Sequence, residues 1–340
     1  MTMKIAINGM GRTGRQFFRA CLGDPDYGRL YEVVAFNDLA NPKTLAYFIK
    51  YDSVHGILEK SIGYGNDYVE VDGRKYSTSS IAQPEALPWN KLGVDVVVES
   101  TGHFTSRDKA EGHLKAGAGK VVISAPAKNP DATVVPGVNM DSYDSTKHRI
   151  ISAASCTTNC LAPMSKVLLD KFGIRKGFMT TVHAYTNDQR VLDLMHEDLR
   201  RSRASSLSII PTTTGAASAI GLVLPELKGK MHGIALRVPV PDGSVVDLVA
   251  QLEKPVTKDE INDAFKIASE NNMKGILGYT EDPIVSVDIV GNPYSCIIDG
   301  EATTVIGERG EFVKVLGWYD NEWGYANRLL DVVKYVSARE

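Results

Sequence analysis

The 340-residue sequence is short of cysteine, of long apolar runs and of excess charge of either sign. Four cysteines cannot form the disulfide framework of a chain this long, so a reducing compartment, the cytoplasm, is expected. No apolar run approaches the roughly 20 residues of a membrane-spanning helix, and strand-like residues begin almost at once, so neither a membrane partner nor a signal peptide is expected. A net charge of −3 argues against nucleic acid as a partner. No metal is expected.

A glycine motif lies between the first predicted strand and the first predicted helix. Residues 4–8 have the pattern of a buried parallel strand, and residues 9–14, GMGRTG, follow it directly. Gly9, Gly11 and Gly14 permit a tight turn, close backbone approach to a pyrophosphate and close helix–strand packing. In this context the motif predicts dinucleotide binding, and a glycine-rich turn without a ligand is the alternative.

An acidic residue ends the second predicted strand, residues 32–38. In dinucleotide-binding domains an acidic residue roughly 20 residues past the last glycine binds the adenosine ribose hydroxyls, and Asp38 lies slightly farther along the chain than that. A turn or capping aspartate is the alternative. Residues 101–102 and 124–126 follow later strands and are further candidate cofactor contacts, because ligands bind at the carboxyl ends of parallel strands.

The pattern of strands and helices changes near residue 152. Alternating strands and helices before it predict an α/β domain with a doubly wound parallel sheet of the Rossmann type. After it, strands at 178–186, 234–239, 244–252, 284–289, 295–299 and 312–319 predict an α+β catalytic domain with a mixed, largely antiparallel sheet. We expect the first domain to comprise residues 1–152 and 317–340, and the catalytic domain residues 153–316.

Cys156 stands at a predicted strand-to-helix turn, in the sequence SCTTNC over residues 155–160. A thiol in the first turn of a helix faces unpaired N–H groups and the positive end of the helix dipole, which lower its pKa. Cys156 is therefore predicted to be a nucleophile, whereas Cys160 is expected to be an inert core thiol.

A thiol nucleophile needs a nearby base, and His183 is the candidate. It alone among the seven histidines ends a strand among small polar residues in the same domain as Cys156. A structural histidine is the alternative. Arg237, within a strand, and Arg201 are candidates for binding phosphate, and residues 213–215 are candidates for binding an oxyanion.

Five motifs together resemble the phosphorylating glyceraldehyde-3-phosphate dehydrogenases, and they cover both predicted domains. They are NGMGRTGR at residues 8–15, SCTTNC at 155–160, DLRR at 198–201, PTTTGAA at 211–217 and WYDNEWGY at 318–325. The resemblance implies that glyceraldehyde 3-phosphate, NAD and inorganic phosphate are converted to 1,3-bisphosphoglycerate and NADH, in glycolysis or gluconeogenesis. It implies that Cys156 forms a hemithioacetal and then a thioester, with His183 as the base that also stabilises the oxyanion.

The resemblance also implies the binding residues. Thr186 and Arg237 match the site for the substrate phosphate. The inorganic phosphate site corresponds to Ser155, Thr157, Arg201, Thr214 and Gly215. The cofactor contacts outside the glycines correspond to Arg12, Thr13, Asp38, Ser124 and Asn321. The family is cytoplasmic and homotetrameric, and residues 187–208 match its loop that lines neighbouring subunits.

Three residues differ from the usual family pattern. Met10 and Thr13 replace phenylalanine and isoleucine in the glycine loop, and Met195 replaces a proline of NAD-using members. NAD is the expected cofactor, with use of NADP left open.

Three alternative functions remain. Erythrose-4-phosphate dehydrogenase shares the cysteine motif, but the intact Tyr185-Thr186 pair and residues 213–215 favour the three-carbon substrate. A non-catalytic binding or redox-sensing relative would not need both Cys156 and His183. A thiol hydrolase would not need the dinucleotide loop.

Overall fold

The computed structural model describes residues 2–339, which divide into two compact units. The first comprises the chain up to Val134, Met140–Ala154 and the chain from Ala326 onward; the second comprises Val135–Asn139 and Ser155–Tyr325. The strands are β1 Met3–Asn8, β2 Tyr31–Asn37, β3 Tyr51–Asp52, β4 Gly56–Ile57, β5 Ile62–Tyr64, β6 Tyr68–Val71, β7 Arg74–Ser79, β8 Val96–Glu99, β9 Lys120–Ile123, β10 Ala132–Thr133, β11 Ile150–Ser152, β12 Ile174–Ala184, β13 Ile210–Thr213, β14 Met231–Val238, β15 Ser244–Val256, β16 Leu277–Thr280, β17 Cys296–Val305 and β18 Gly310–Tyr319. The helices are α1 Arg12–Gly23, α2 Pro42–Lys50, α3 Trp89–Leu92, α4 Arg107–Lys115, α5 Cys156–Phe172, α6 Ala216–Val223, α7 Lys258–Glu270 and α8 Trp323–Ser337.

The first unit contains a sheet in the order β10-β11-β9-β8-β1-β2-β7-β6-β5. All pairs from β10 to β7 are parallel, and β5, β6 and β7 form an antiparallel edge. Ile5, Val97 and Val122 are fully buried, as in parallel sheets covered on both faces. The strand order reverses at β1, which has β2 on one side and β8 on the other. The predicted Rossmann-type α/β fold is confirmed, and this reversal places a ligand crevice at the carboxyl end of β1.

The second unit contains a sheet in the order β13-β14-β12-β15-β18-β17-β16. Most pairs are antiparallel, and β12 with β14 and β16 with β17 are parallel, so the predicted mixed sheet is confirmed. Helices α5, α6 and α7 pack against its strands. Side chains alternate along the strands, and Phe178, Ile234 and Phe312 are exposed.

Two sequence expectations for the second unit differ from the structure. The strand predicted over residues 284–289 is wrong, because Ser286–Ile289 is a 3-10 turn whose Asp288 carboxylate accepts a hydrogen bond from the backbone N–H of Val285 (2.7 Å). The chain returns to the first unit at Ala326, later than the expected boundary at 317, because β18 pairs with β15 and β17. Among residues 2–339, no helix is long and apolar enough to cross a membrane.

Candidate active site

The glycine loop of the first unit leaves open backbone at the start of α1. Gly9 has φ +94°, and a Cβ there would lie 2.7 Å from the backbone nitrogen of Thr101. A Cβ on Gly14 would lie 2.1 Å from the carbonyl oxygen of Gly9, whereas one on Gly11 would meet nothing within 4 Å. The loop therefore packs too tightly for side chains at Gly9 and Gly14, and it is open at Gly11. This is the cradle that the pyrophosphate of a dinucleotide needs at a helix N-terminus.

A cavity of about 370 Å³ adjoins this loop at the carboxyl ends of β1, β2 and β8. Gly9, Gly11 and Asp38 line it, together with Thr101, which sequence reasoning had also named. The carboxylate of Asp38 accepts hydrogen bonds from the backbone N–H groups of Met10 (2.8 Å) and Ala40 (2.9 Å). These bonds fix the carboxylate beside the loop, where ribose hydroxyls would reach it.

Arg12, Thr13 and Ser124 do not line this cavity. Arg12 forms a two-point ion pair with Asp52, at 2.8 and 3.1 Å. Burial raises the pKa of Asp52, but the backbone N–H groups of His55 and Val54 and the Arg12 charge together lower it to about 2. Arg12 is thus held in the first turn of α1 by a residue that sequence reasoning missed, because no local pattern links two residues 40 positions apart.

In the second unit, Cys156 is the first residue of α5, as predicted, and Ser155 caps the helix by accepting a hydrogen bond from the backbone N–H of Thr158 (3.0 Å). The Sγ atom of Cys156 lies 3.5 Å from Nε2 of His183. Nδ1 of His183 lies 2.7 Å from the carbonyl oxygen of Ala184, which can only accept. The carbonyl favours a ring proton on Nδ1 and a lone pair on Nε2 facing the thiol, whereas the Nη1 donor of Arg237, which also contacts Nδ1, favours the opposite tautomer.

Burial controls the charge of both groups. It lowers the pKa of His183 to about 3, with the Arg237 charge acting in the same direction, so the imidazole is neutral near pH 7. Burial also raises the pKa of the Cys156 thiol, and this outweighs the Arg237 charge and the hydrogen bonds from Thr157 that lower it. The expected lowering of the thiol pKa is therefore wrong for this structure, because desolvation exceeds the effect of the helix start. The pair at rest is a neutral thiol and a neutral imidazole.

Tyr319, another residue that sequence reasoning did not single out, supports this pair. Its hydroxyl lies 2.9 Å from Oγ1 of Thr157 and 2.8 Å from Oγ1 of Thr181. Its ring meets the edge of the His183 ring, with centroids 5.9 Å apart and an interplanar angle of 74°. The buried tyrosine thus fixes both the helix that carries Cys156 and the strand that carries His183.

Arg237, on β14, lies beside His183, on the neighbouring strand β12. Its Nη1 donates to the carbonyl oxygen of Ala184 (3.1 Å) and contacts Nδ1 of His183. The pKa of Arg237 is lowered by burial, raised by Cys156 and lowered by the Arg201 charge. Arg237 thus lies within electrostatic range of both the thiol and Arg201, and two neighbouring guanidinium groups suit a substrate that carries anionic groups.

The other predicted phosphate-binding residues lie around Arg201 and the start of α5. Nε of Arg201 donates to Oγ1 of Thr212 (2.8 Å), and Nη1 donates to the Asp188 carboxylate (2.5 Å). The hydroxyl of Thr214 accepts from the backbone N–H of Ala216 (3.2 Å), beside Gly215, whose Cα faces open space. By contrast, the Thr157 hydroxyl is buried against Tyr319.

Thr186 and Asn321 are both held by neighbouring polar groups. The backbone N–H of Thr186 donates to Oε1 of Gln189 (3.2 Å). Oδ1 of Asn321 accepts from the hydroxyl of Ser244 (2.6 Å), which in turn accepts from the backbone N–H of Ala184 (3.1 Å). Asn321 is therefore tied to the residue that follows His183.

Comparisons with known proteins cover the whole chain. The family model described as glyceraldehyde 3-phosphate dehydrogenase, NAD binding domain, matches residues 3–107, and the one described as glyceraldehyde 3-phosphate dehydrogenase, C-terminal domain, matches residues 155–321. A glyceraldehyde-3-phosphate dehydrogenase of Geobacillus stearothermophilus is 56% identical over 339 residues, covering 100% of this chain and 99% of that protein. One of Streptomyces coelicolor is 56% identical over 337 residues, covering 99% of each. Glyceraldehyde-3-phosphate dehydrogenase 2 of Bacillus subtilis is 53% identical over 339 residues, covering 100% of this chain and 98% of that protein.

Proposed function

The chain belongs to the glyceraldehyde-3-phosphate dehydrogenase family, and from this premise we propose which of its residues perform the reaction. The reaction is the NAD-dependent oxidation and phosphorylation of glyceraldehyde 3-phosphate to 1,3-bisphosphoglycerate. In the proposal the second unit carries the nucleophile, the anion-binding residues and one NAD contact, Asn321, and the first unit carries the other NAD contacts.

In the first step the proton of the Cys156 thiol passes to Nε2 of His183, while the sulfur forms a bond to the aldehyde carbon. The 3.5 Å contact and the neutral imidazole support this transfer, which uses the tautomer that carries its proton on Nδ1. The protonated imidazole then donates to the new oxyanion, which gives the hemithioacetal. The Arg237 charge stabilises the thiolate while it exists.

In the second step His183 takes the hydroxyl proton of the hemithioacetal as the carbon loses a hydride, which leaves a thioester on Cys156. NAD, when bound, supplies the acceptor for that hydride. An oxygen of inorganic phosphate then attacks the thioester carbon, and the carbon–sulfur bond breaks to release the acyl phosphate and the Cys156 thiolate. The thiolate recovers the proton held by His183, which restores the neutral pair. The neutral resting state of His183 suits a group that accepts a proton twice in each cycle.

We assign the substrate phosphate to Arg237 and Thr186. The inorganic phosphate is assigned to Ser155, Thr157, Arg201, Thr214 and Gly215. Arg201 is supported by its place beside Thr212 and by its effect on Arg237. Gly215 is supported by the open space at the start of α6. Thr157 supplies a hydrogen bond to the Cys156 sulfur as well.

The NAD contacts are assigned to Gly9, Gly11, Gly14, Arg12, Thr13, Asp38, Ser124 and Asn321. Gly9, Gly11 and Asp38 are supported by the cavity that they line, and Gly14 by its close approach to Gly9, which leaves no room for a side chain. Arg12 presents a guanidinium held by Asp52 at the start of α1, where a pyrophosphate would be bound.

The observation that carries the catalytic assignment is the 3.5 Å approach of Cys156 Sγ to His183 Nε2, with the Arg237 guanidinium in contact with the same histidine. The test measures NADH formation from glyceraldehyde 3-phosphate with and without inorganic phosphate, and repeats it with erythrose 4-phosphate. We expect sustained turnover only with the three-carbon substrate and phosphate. Faster turnover of erythrose 4-phosphate, without need of phosphate, would support the sister activity instead, and no turnover would support a non-catalytic relative.

We also propose that the chain assembles as a homotetramer. The segment 187–208 exposes Val191, Leu192, Leu194, Met195, Leu199 and Leu207. A concentration of exposed apolar side chains marks an interaction surface. Light scattering of the purified protein tests this, and a monomer at micromolar concentration would contradict it.

The cytoplasm is the proposed location, with neither membrane nor nucleic acid as a partner. The four cysteines are free thiols, as in a reducing compartment. Fractionation of cells that express a tagged chain tests this proposal, and recovery of the protein with membranes would contradict it.

A further inference from the structure

A buried chain of hydrogen bonds runs from Trp89 through His113 to Glu99 in the first unit. Trp89 and His113 are fully buried, and Glu99 is 1% exposed. We propose that Glu99 and His113 are positioning residues for the dinucleotide site, because they fix the backbone against which the glycine loop packs. This inference rests on NAD binding by the first unit.

The donors of this chain determine where the histidine proton lies. Nε1 of Trp89, which can only donate, lies 3.0 Å from Nδ1 of His113. Nδ1 must therefore accept, and Nε2 carries the proton and donates to Oε2 of Glu99 (2.9 Å). The same oxygen accepts from Nδ2 of Asn8 (2.6 Å), at the carboxyl end of β1.

The second oxygen of Glu99 acts on the cofactor side. Oε1 accepts from the backbone N–H of Thr101 (2.8 Å) and from its hydroxyl. Thr101 and Asn8 both line the cavity beside the glycine loop. With His113, these two residues satisfy a carboxylate that would otherwise be costly to bury.

The glycine loop rests directly on this backbone. A Cβ on Gly9 would lie 2.7 Å from the backbone nitrogen of Thr101, so the two backbone segments are in direct contact and leave no room for a side chain. The hydroxyl of Ser100 also donates to the carbonyl oxygen of Gly9 (2.7 Å). A shift of Thr101 must therefore displace the loop that binds the pyrophosphate, although Glu99 and His113 do not themselves reach it.

The variant Glu99→Gln tests this link. The glutamine amide has one NH₂ group, which must replace one of the two carboxylate oxygens. In one orientation this NH₂ faces the backbone N–H of Thr101, and in the other it faces the N–H groups of Asn8 and His113, so a donor meets a donor in both. We expect the dissociation constant for NADH, measured by fluorescence titration without substrate, to rise about tenfold or more, the range for a buried unsatisfied group. We expect kcat at saturating NAD to stay within about twofold, since the reacting groups are untouched. Glu70→Gln, on β6, is the matched control and should leave both values unchanged.

Two substitutions at His113 distinguish the effect of its hydrogen bonds from the effect of its side-chain volume. His113→Gln keeps a donor towards Glu99 and an acceptor towards Trp89, so it should retain NADH affinity, whereas His113→Leu should weaken it. Equal affinities of the Gln and Leu variants would overturn the proposal, as would unchanged NADH affinity in Glu99→Gln. If Glu99→Gln does not fold, the pair of His113 variants decides the matter.

A spectroscopic measurement tests the same arrangement in the unmutated protein. In histidine-labelled protein, ¹⁵N NMR should show His113 as a neutral ring protonated on Nε2, with and without NADH. A proton on Nδ1 would overturn the inference. Failure of the unmutated chain to bind NADH at all would instead overturn the proposed function, so the two failures are distinguishable.

Discussion

Cys156 and His183 are 27 residues apart in sequence, and their Sγ and Nε2 atoms lie 3.5 Å apart in the structure. Burial raises the pKa of the thiol and lowers that of the imidazole, so both are neutral near pH 7. The pair is therefore not a resting ion pair. Its reactivity depends on proton transfer within the contact and on the nearby Arg237 charge.

Replacing the proposed nucleophile should abolish oxidation. Cys156→Ser should lose NADH formation and keep NADH binding, because a serine hydroxyl is far less ionised than a thiol. In the unmutated protein, iodoacetamide should label Cys156 before the other three cysteines, which are fully buried. Mass spectrometry after brief labelling measures the order, and modification of Cys160 or Cys296 first would refute the assignment.

Replacing the proposed base should slow the thiol chemistry. His183→Asn removes the acceptor of the thiol proton and should lower kcat by about 100-fold or more. Alkylation of Cys156 near pH 7 should slow as well. His232→Asn, an exposed histidine in the same unit, is the control. An alkylation rate that is the same in both variants would exclude the pairing.

His183 should also make stability depend on pH on the acid side. Its folded pKa of about 3 lies below its usual 6.5, so the unfolded chain binds a proton between these values that the folded chain does not. Its contribution is therefore fully present above pH 6.5 and is lost as the pH falls towards 3, by up to about 1.4 kcal/mol per pH unit.

Urea unfolding from pH 7 to pH 5 measures this dependence. His183→Gln should flatten it relative to His232→Gln, because glutamine does not titrate. The same slope in both variants would mean that His183 is not held neutral.

Removing the Arg237 charge should affect phosphate recognition and the thiol together. Arg237→Leu should raise KM for glyceraldehyde 3-phosphate far more than for glyceraldehyde, since the guanidinium–phosphate contact exists only for the first. It should also raise the pKa of Cys156 further, because the Arg237 charge lowers that pKa. Steady-state kinetics and the pH profile of alkylation measure both effects, with Arg175→Leu at an exposed ion pair as the control. Equal KM changes for the two aldehydes would indicate a purely structural role.

The Asp38 carboxylate should favour NAD over NADP. It is fixed beside the cavity by Met10 and Ala40 and would repel a 2′-phosphate, while Leu39 offers no hydroxyl or charge to bind one. We expect a preference for NAD of at least about tenfold in kcat/KM, roughly 1.4 kcal/mol. Asp38→Ser should reduce the preference for NAD over NADP, whereas Asp67→Ser, at an exposed site, should leave that preference unchanged. Equal efficiencies in the unmutated enzyme would contradict this and would implicate Met195, which replaces the proline of NAD-using members.

Short-range patterns were enough to place several functional elements. The start of α5 at Cys156 follows from its own sequence, because Ser155 bonds to an N–H only three residues away. The glycine loop follows from the spacing of Gly9, Gly11 and Gly14. The strand expected at 284–289 failed because its apolar pattern also suits a capped turn.

By itself, the sequence determined the family motifs and the alternating and mixed sheets, and it was enough to propose the thiol, the base and the arginines of the site. Only the tertiary structure decided how these groups are charged and held, because pKa values depend on burial and on partners distant in sequence. Arg12 meets Asp52 across 40 positions, and Tyr319 reaches Thr157 across 162. The pKa of Cys156 also depends on the tertiary structure, although its position at a helix start alone predicts a lowered value. The protein around it withdraws the thiol from water, and that desolvation is larger than the local effect of the helix.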